Sequence, residues 1–292
     1  MSAGITAVPG VLAGHWTHES GTTGCTVLVF PEGATAGGCV PGSAPGGREI
    51  GVLDPCHLAG EVHAFCLSGG SAFGLATADG VLAELVERGI GFDAVGHRVP
   101  IVPTAILFDL PVAEARPDAT AGRAAAAAAS SETLASGRVG AGAGATVAKA
   151  GGQPAPGGLG TAHRSVGGWT VGAVAAVNAF GSVRHPETGV WLAGGPLGEA
   201  VLGGDWRGNT SLIAVATDAP LSRPQATVVA RMAQAGLARC LYPAFAAVDG
   251  DTVFVASTTR GSIDALEVTT LGHAAALTVA DAIVAAVTTT TP

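Results

Sequence analysis

The stretch Asn209-Thr-Ser-Leu-Ile-Ala-Val-Ala-Thr217 passes from polar residues into an apolar, β-branched run. Residues 212–217 have the composition of a buried strand, and the Asp-Ala-Pro that follows them is typical of a turn. Because Ser and Thr are ordinary residues at strand starts, the spacing alone leaves Thr210 open as a turn residue or a nucleophile.

The segment 181–209 before this strand is rich in glycine and shows neither helical nor strand periodicity. Irregular stretches of this length inside a compact chain are usually functional or disordered. An irregular arm that leads into a buried strand is a place where the chain can be cut without dismantling the core. We therefore expect residues 181–209 to end at a site where internal cleavage is tolerated.

The rest of the chain alternates short strand-like runs with longer helix-like runs. Further strands are predicted over 27–30, 62–67, 169–177 and 252–257, which are apolar and bounded by Gly, Pro or Asp. Helices are predicted over 71–88, 119–136, 222–240 with Ser222 as N-cap, and 271–287. The pattern indicates an α/β fold without a fixed-period repeat.

The composition excludes several classes of partner. Hydrophobic residues make up 48% of the chain and charged residues 12%, so the chain can bury a large core and leaves little charged surface, as in an oligomer. The net charge is −8 and the basic residues are scattered, which argues against nucleic acid or an anionic membrane as a partner.

Targeting and membrane signals are also missing from the sequence pattern. The start has no basic segment followed by an apolar run, so a cytoplasmic location is expected. The longest apolar stretch, 274–287, contains Asp281 and is shorter than the roughly 20 residues that span a bilayer. We therefore predict no membrane segment.

No metal or cofactor is expected. The five cysteines form no Cys-x-x-Cys pair and are odd in number, which favours neither a disulfide framework nor a structural zinc site. The glycine-rich stretches lack the strand–helix context of a dinucleotide site and the Gly-Lys-Ser/Thr ending of a phosphate loop.

Four polar side chains are candidates for chemistry, each with a plain structural alternative. Lys149 is the only lysine in the chain, which indicates either a need for a compact ammonium or a surface lysine. Asn178 follows a predicted strand, where its amide can donate to an oxyanion or cap a turn. Asp249 and Asp251 precede another strand, where they can act as paired carboxylates in catalysis or simply form an acidic turn.

The turn Ser68-Gly69-Gly70-Ser71 opens a predicted helix and offers backbone N–H groups. Such groups bind a developing anion or a substrate carboxylate. The alternative is a simple glycine turn with Ser71 as N-cap, and the residues leave both open.

Taken together, a set of short motifs resembles one protein family over nearly the whole chain. The motifs are Gly4-Ile-Thr-Ala-Val-Pro-Gly-Val11, Gly24-Cys-Thr-Val27, Ser68-Gly-Gly-Ser-Ala-Phe-Gly-Leu75, Pro100-Ile-Val-Pro103, Gly140-Ala-Gly-Ala-Gly-Ala-Thr146, Val177-Asn-Ala-Phe-Gly181, Asn209-Thr210 and Thr217-Asp-Ala-Pro-Leu221. The chain resembles the self-processing L-aminopeptidase/D-esterase family, which includes β-peptidyl aminopeptidases and nylon-oligomer hydrolases.

This resemblance implies an N-terminal-nucleophile-type hydrolase in which residues 1–292 form one four-layer α-β-β-α sandwich. It implies autocatalytic cleavage between Asn209 and Thr210, giving chains 1–209 and 210–292. Thr210 then becomes the nucleophile, with its own α-amine as general base. Thr in place of Ser at this position looks closer to the nylon-oligomer hydrolases than to the β-peptidyl aminopeptidases.

The same resemblance assigns roles to the other candidates. Asn178 donates to the tetrahedral oxyanion, Lys149 stabilises charge at the site, and Asp249 and Asp251 orient the amine and hydroxyl of Thr210. The expected substrate is a small amide or peptide, and the expected assembly is a homotetramer of processed units. The alternatives are a related acyl-amide hydrolase or acyltransferase of pantetheine type, and an unprocessed small-molecule-binding protein.

Overall fold

The computed structural model describes residues 4–198 and 208–289, about half of which lie in strands and α-helices. The strands are β1 (Leu12–Thr17), β2 (Gly24–Cys39), β3 (Gly47–Arg48), β4 (Val62–Ser68), β5 (Phe92–Ala94), β6 (His97–Val99), β7 (Thr104–Ile106), β8 (Thr146–Val147), β9 (Ala155–Pro156), β10 (Gly158–Val166), β11 (Trp169–Asn178), β12 (Ser182–Arg184), β13 (Trp191–Ala193), β14 (Thr210–Thr217), β15 (Leu241–Tyr242) and β16 (Thr252–Ser257). The α-helices are α1 (Thr77–Glu87), α2 (Ala119–Ala127), α3 (Arg223–Ala233), α4 (Ala235–Cys240) and α5 (Ala265–Thr288).

One long strand, β2, joins two halves of the main sheet. The sheet runs in the order β10-β11-β14-β16-β2-β4-β7-β3, and β1 also pairs with β2. The first part of β2 pairs with β1 and β4, whereas residues 35–39 pair with β16. The register shifts between Val29 and Ala34, as at a β-bulge, which lets one strand change layers.

Three buried clusters define four layers. In the middle cluster, Phe65 of β4 contacts Phe254 of β16, with ring centroids 5.0 Å apart, so the two halves of the sheet face each other. A second cluster joins the β2–β4 half to α1 and α2, and a third joins the β11–β14–β16 half to α3, α4 and α5. The predicted four-layer α-β-β-α sandwich is confirmed.

The predicted strands are all present, but all four predicted helices differ from the prediction in extent. The segment 71–88 begins as a 3₁₀ helix over Ser71–Ala76 before α1 starts. The predicted helix 119–136 ends at Ala127, because Ser130 exchanges backbone hydrogen bonds with Ala13 at the sheet edge. Strand pairing there outweighs the helix propensity of alanine.

The last two predicted helices also change in extent. The segment 222–240 is divided at Gln234 into α3 and α4, and Ser222 is the N-cap, as predicted. Helix α5 begins at Ala265, earlier than predicted, because Asp264 accepts hydrogen bonds from two backbone N–H groups of its first turn.

Helix α5 is also longer than the apolar run recognised in the sequence. Among the described residues it is the one helix long and apolar enough to cross a membrane. In the structure, 61% of its most apolar window is buried inside the protein, where it contacts β10, β11, α3 and α4. Packing between layers accounts for its apolar composition.

The arm 181–209 contains more regular structure than its sequence indicates. Strands β12 and β13 pair within it, and β12 also pairs with β15. Strands of three residues are too short to give a periodic signal, which explains why the sequence pattern missed them. Residues 199–207 of the predicted arm lie outside the described part of the chain.

Candidate active site

Thr210 is the first residue of β14, which lies between β11 and β16 in the sheet. It is directly opposite Asn178, the last residue of β11, in the antiparallel register. Strand β16 runs parallel to β14, so the residues before each of these strands meet at the same sheet end. This topology brings Thr210, Asn178, Asp249 and Asp251 together, although they are far apart in sequence.

The peptide group between Asn209 and Thr210 is buried and held on both sides. The Thr210 hydroxyl donates a hydrogen bond to the carbonyl oxygen of Asn209. The same oxygen accepts a hydrogen bond from the Gly250 N–H at 3.0 Å. Thr210 and Asn209 are 3% and 2% exposed. A hydroxyl therefore lies beside the carbonyl group that it would attack in an N-to-O acyl shift.

The two carboxylates fix the backbone around this peptide group. Asp251 accepts hydrogen bonds from the N–H groups of Ser211 at 2.7 Å and Phe245 at 3.3 Å. Asp249 accepts from the N–H groups of Phe180 at 3.3 Å and Ala246 at 3.2 Å. The pair therefore connects the start of β14 to the segments on either side of it.

Lys149 is buried at the site rather than exposed at a strand end, so the surface alternative is wrong for this residue. Its ammonium lies 2.9 Å from the backbone oxygen of Asn178, 3.1 Å from Oδ1 of the same residue and 3.4 Å from the Gly208 carbonyl oxygen. The preceding Ala148 has a left-handed backbone, with φ of 62°, which turns the chain so that Lys149 points inward. With the Ala179 carbonyl oxygen at 3.5 Å, four oxygen acceptors lie within reach, which suits a protonated amine.

Asn178 has a defined amide orientation. Its Oδ1 accepts the Thr146 N–H at 2.9 Å and the Lys149 ammonium. Its Nδ2 donates to the carbonyl oxygens of Phe108 and Gly208, both at 3.1 Å. Because both Nδ2 hydrogens have acceptors, the amide holds the residue before Asn209 and is not directed at the Asn209 carbonyl in the uncut chain.

Burial dominates the electrostatics of the charged groups. It lowers the pKa of Lys149 to about 7, although Asp249 and Asp251 oppose this by attracting the ammonium. Burial raises the pKa of both carboxyls, and repulsion from Asp249 raises the pKa of Asp251 further. Groups that titrate near neutral pH in one cluster are typical of sites for proton transfer.

Ser68, Gly69, Gly70 and Ser71 form a buried turn whose amides already have acceptors. The N–H groups of Gly69 and Ser71 donate to backbone carbonyls, at 2.9 and 3.0 Å. The Gly70 N–H donates to the Asp109 carboxylate at 2.7 Å. Gly70, with φ of 81°, is the N-cap residue of the 3₁₀ helix, where Ser71 was predicted. These bonds favour the plain glycine turn over an anion site.

Comparison with known proteins places this arrangement in a family. The model of peptidase family S58 matches residues 3–292. The chain belongs to peptidase family S58. An uncharacterized aminopeptidase of Mycobacterium leprae (strain TN) is 39% identical over 89% of this chain and 79% of the relative. A 6-aminohexanoate-oligomer endohydrolase of Kocuria sp. (strain KY2) is 28% identical over 86% of this chain and 73% of the relative.

Solved structures of the same fold agree. The β-aminopeptidase of a Burkholderia species superposes with a TM-score of 0.76 at 25% identity, covering 98% of this chain and 86% of that one. The L-aminopeptidase D-Ala-esterase/amidase of Ochrobactrum anthropi, described as a variant of the Ntn hydrolase fold, gives a TM-score of 0.75 at 19% identity, over 97% and 85% of the chains. This S58 protein therefore has an Ntn-hydrolase fold and is a hydrolase that acts on amide bonds.

A cavity of about 290 Å³ adjoins the candidate active site of the S58 protein, on the side of Lys149 and Gly208. Its lining is Phe108, Asp109, Pro111, Val112, Gly144, Thr146, Lys149, Gly152, Pro154 and Gly208. Gly208 has φ of +83°, and a Cβ at this position would lie 2.1 Å from the Phe108 ring. The residue before Asn209 therefore fits against the cavity wall only as glycine.

Sequence reasoning missed three participants in this site. Gly208 and Phe108 supply the carbonyls that occupy the Asn178 amide, and Gly250 supplies an N–H to the Asn209 carbonyl. All three residues act through backbone atoms, which the side-chain pattern of a sequence does not reveal. The one sequence feature that pointed to Gly250 is its position between two aspartates. Among residues 4–198 and 208–289, no group of three or more His, Cys, Asp or Glu is placed to hold a metal ion.

The raised carboxyl pKa values predict how stability depends on pH. A carboxyl with a raised pKa holds its proton in the folded chain where the unfolded chain has lost it, so the free energy of unfolding falls as pH rises above 3.8. Replacing Asp251 by Asn removes one such group and flattens this fall, by up to about 1.4 kcal/mol per pH unit. Urea unfolding between about pH 4 and pH 7 measures the slope, with Thr210→Ala added to every protein compared so that the chain stays uncut.

The control for this comparison is Asp93→Asn, a change at an exposed position of β5. It is expected to leave the slope as it is in the parent chain. Equal slopes for the parent and the Asp251 variant would show that this carboxyl is ionised alike in both states and would contradict the prediction.

Proposed function

We propose that this S58 hydrolase is made as one chain, cuts itself between Asn209 and Thr210, and then uses Thr210 as an N-terminal nucleophile. The observation that carries the proposal is the hydrogen bond from the Thr210 hydroxyl to the carbonyl oxygen of the preceding residue. A buried lysine, an oriented asparagine and two carboxylates surround that peptide group. Each of these residue types supports charge or proton transfer during acyl transfer.

Self-cleavage begins with attack of Thr210 Oγ on the carbonyl carbon of Asn209. The C–N bond breaks, the hydroxyl proton passes to the leaving nitrogen, and the acyl group is carried on Oγ as an ester. Water then hydrolyses the ester, which releases Asn209 as a carboxylate and leaves Thr210 with a free α-amine. The proposed products are chains of 209 and 83 residues.

In turnover, the new amine is the general base for the Thr210 hydroxyl. Its reference pKa of about 7.7–8.0 keeps a usable fraction neutral near physiological pH, so no histidine is required. Asp249 and Asp251 orient the amine and hydroxyl. Asn178 donates to the substrate oxyanion once the Gly208 carbonyl has moved away, and Lys149 lowers the cost of negative charge there.

The proposed substrates are small peptides or amino-acid oligomers. Named relatives include an aminopeptidase and a 6-aminohexanoate-oligomer endohydrolase. A threonine nucleophile with two aspartates favours the oligomer-hydrolase type. We also propose that processed units assemble as a homotetramer, because charged residues make up only 12% of the chain and leave little charged surface. The proposed location of this assembly is the cytoplasm.

The test combines intact mass, N-terminal sequencing and amide hydrolysis on the freshly purified protein. The expected result is two chains, the smaller beginning at Thr210, and hydrolysis of amino-acid p-nitroanilides or linear 6-aminohexanoate oligomers. A single chain of 292 residues that hydrolyses none of these amides would contradict the proposal and favour an unprocessed binding protein.

A further inference from the structure

We propose that the backbone N–H of Gly250 is the donor that stabilises the oxyanion formed during self-cleavage, and that the Asn178 amide serves only the later turnover. The inference rests on the proposed function and assigns a separate donor to its first step. It follows from which groups contact the Asn209 carbonyl in the uncut chain.

The Asn209 carbonyl oxygen is the atom that becomes negatively charged when Thr210 attacks. The Gly250 N–H already donates to this oxygen, with an N···O distance of 3.0 Å. Asn209 and Asp249 form an isolated parallel bridge, so the two segments are aligned along their backbones. A donor in place before the charge develops needs no reorganisation during the reaction, which is the basis of oxyanion stabilisation.

Backbone pairing on the opposite side holds Gly250 in this position. The Gly42 N–H donates to the carbonyl of Asp251 at 3.1 Å, and the Ala44 N–H donates to that of Asp249 at 2.9 Å. The segment 249–251 is therefore fixed between residues 42–44 and residue 209. This arrangement aims the Gly250 N–H at a single acceptor.

The position accepts only glycine. A Cβ at Gly250 would lie 2.6 Å from Thr210 Oγ1 and 2.5 Å from the backbone oxygen of Ala44, which is closer than real Cβ contacts. A side chain would displace either the hydroxyl that attacks or the loop 42–44 that holds the donor. The missing side chain thus permits the nucleophile and the N–H donor to lie beside the same carbonyl.

Asn178 is unavailable for this step because its two Nδ2 hydrogens bind the carbonyls of Phe108 and Gly208. The Thr146 N–H on Oδ1 fixes which end of the amide donates. Cleavage cuts the chain one residue after Gly208 and allows that carbonyl to leave. The site therefore has two donors used in succession, and the turnover donor is occupied until the chain has been cut.

The test replaces the Gly250 residue by glycolate, which turns its N–H into an ester oxygen without adding a side chain. The variant is made by cell-free translation, and self-cleavage is followed by intact mass. The expected result is a cleavage rate about a hundredfold lower than in the parent, the usual loss for one oxyanion donor. Glycolate at Gly122, whose N–H bonds within α2, is the control and is expected to cleave at the parent rate.

Asn178→Ala tests the other candidate for the oxyanion donor in self-cleavage. Because Asn178 only positions Gly208 before cleavage, this change is expected to slow cleavage less than the Gly250 ester does. The reverse order, with a normal rate for the ester and none for Asn178→Ala, would overturn the inference. The proposed function would stand in that case, since the chain would still be cut at Thr210.

A spectroscopic measurement covers the case in which the ester variant does not fold. In the uncut Thr210→Ala chain, labelled with ¹⁵N and ¹³C, the hydrogen bond predicts a scalar coupling between the Gly250 nitrogen and the Asn209 carbonyl carbon. Absence of that coupling in a folded sample would show that the Gly250 N–H does not donate to the Asn209 carbonyl, and this would overturn the inference.

Discussion

Replacing Thr210 by Ala is expected to leave a single chain of 292 residues and to abolish amide hydrolysis. The change removes the hydroxyl that donates to the Asn209 carbonyl and puts no nucleophile in its place. Without cleavage the α-amine does not form, so both the nucleophile and its base are lost. Intact mass and a p-nitroanilide assay on the same preparation measure the two effects.

Thr210→Ser is the matched control, because serine keeps the hydroxyl and loses only the methyl group. It is expected to give the same two chains as the parent, with turnover within about tenfold of the parent value, which corresponds to about 1.4 kcal/mol in the barrier. Cleavage of Thr210→Ala at Asn209 would show that another group attacks this peptide bond. Equal melting temperatures for the two variants would exclude misfolding as the cause of a difference.

The main layers of this fold can be read from hydrophobic patterns because the central strands of the sheet are buried on both faces. The runs 169–177, 212–217 and 252–257 give almost continuous apolar sequences, and they became β11, β14 and β16. The patterns fail where pairing decides the structure. In the alanine-rich segment after Asp118, no residue near the end of the helix indicates that Ser130 pairs with Ala13 and so ends the helix.

For the candidate site, too, the sequence identifies the side chains but not the backbone contacts that position them. The residue types made Lys149, Asn178, Asp249 and Asp251 candidates, and the resemblance to a family gave them roles. The sheet topology brings Asn178 and the two aspartates to one end of β14, and the turn at Ala148 directs Lys149 there. The contacts that give each residue its task are backbone groups from distant segments. A carbonyl or an N–H is present in nearly every residue, so sequence carries no sign of which one will face the site.

In the structure, the two side chains proposed to bind the substrate carbonyl already donate to a carbonyl of the chain itself. Gly208 presents its carbonyl to Lys149 and Asn178, and its lack of a side chain lets it fit against Phe108. A substrate carbonyl can reach those donors only after this segment has moved. In the proposed mechanism, self-cleavage creates the base and also frees the binding position, so we expect the uncut protein to be inactive for two separate reasons.

Lys149→Met is expected to lower the turnover number by about 10² to 10³, the range for loss of one preorganised charged donor. Methionine fills a similar volume but cannot donate to the backbone oxygen of Asn178 or to the Gly208 carbonyl. The Gly208 carbonyl then keeps the Asn178 amide as a donor but loses the charged one. Self-cleavage is expected to slow as well, because Gly208 is held less firmly beside the peptide bond that breaks. Steady-state kinetics and timed intact mass separate the two effects.

The acidic limb of the pH profile tests the electrostatic part of this role. An ammonium at Lys149 repels a proton on the Thr210 amine and so lowers the pKa of that amine. Removing the charge lets the amine pKa rise towards its reference value of about 7.7–8.0, so the acidic limb of the residual activity shifts to higher pH. Lys149→Arg keeps a positive charge, so the acidic limb is expected to stay at the same pH. Its turnover number is expected to fall, because a planar guanidinium does not fit a pocket shaped for a compact ammonium. Unchanged cleavage and turnover in Lys149→Met would remove the lysine from the mechanism.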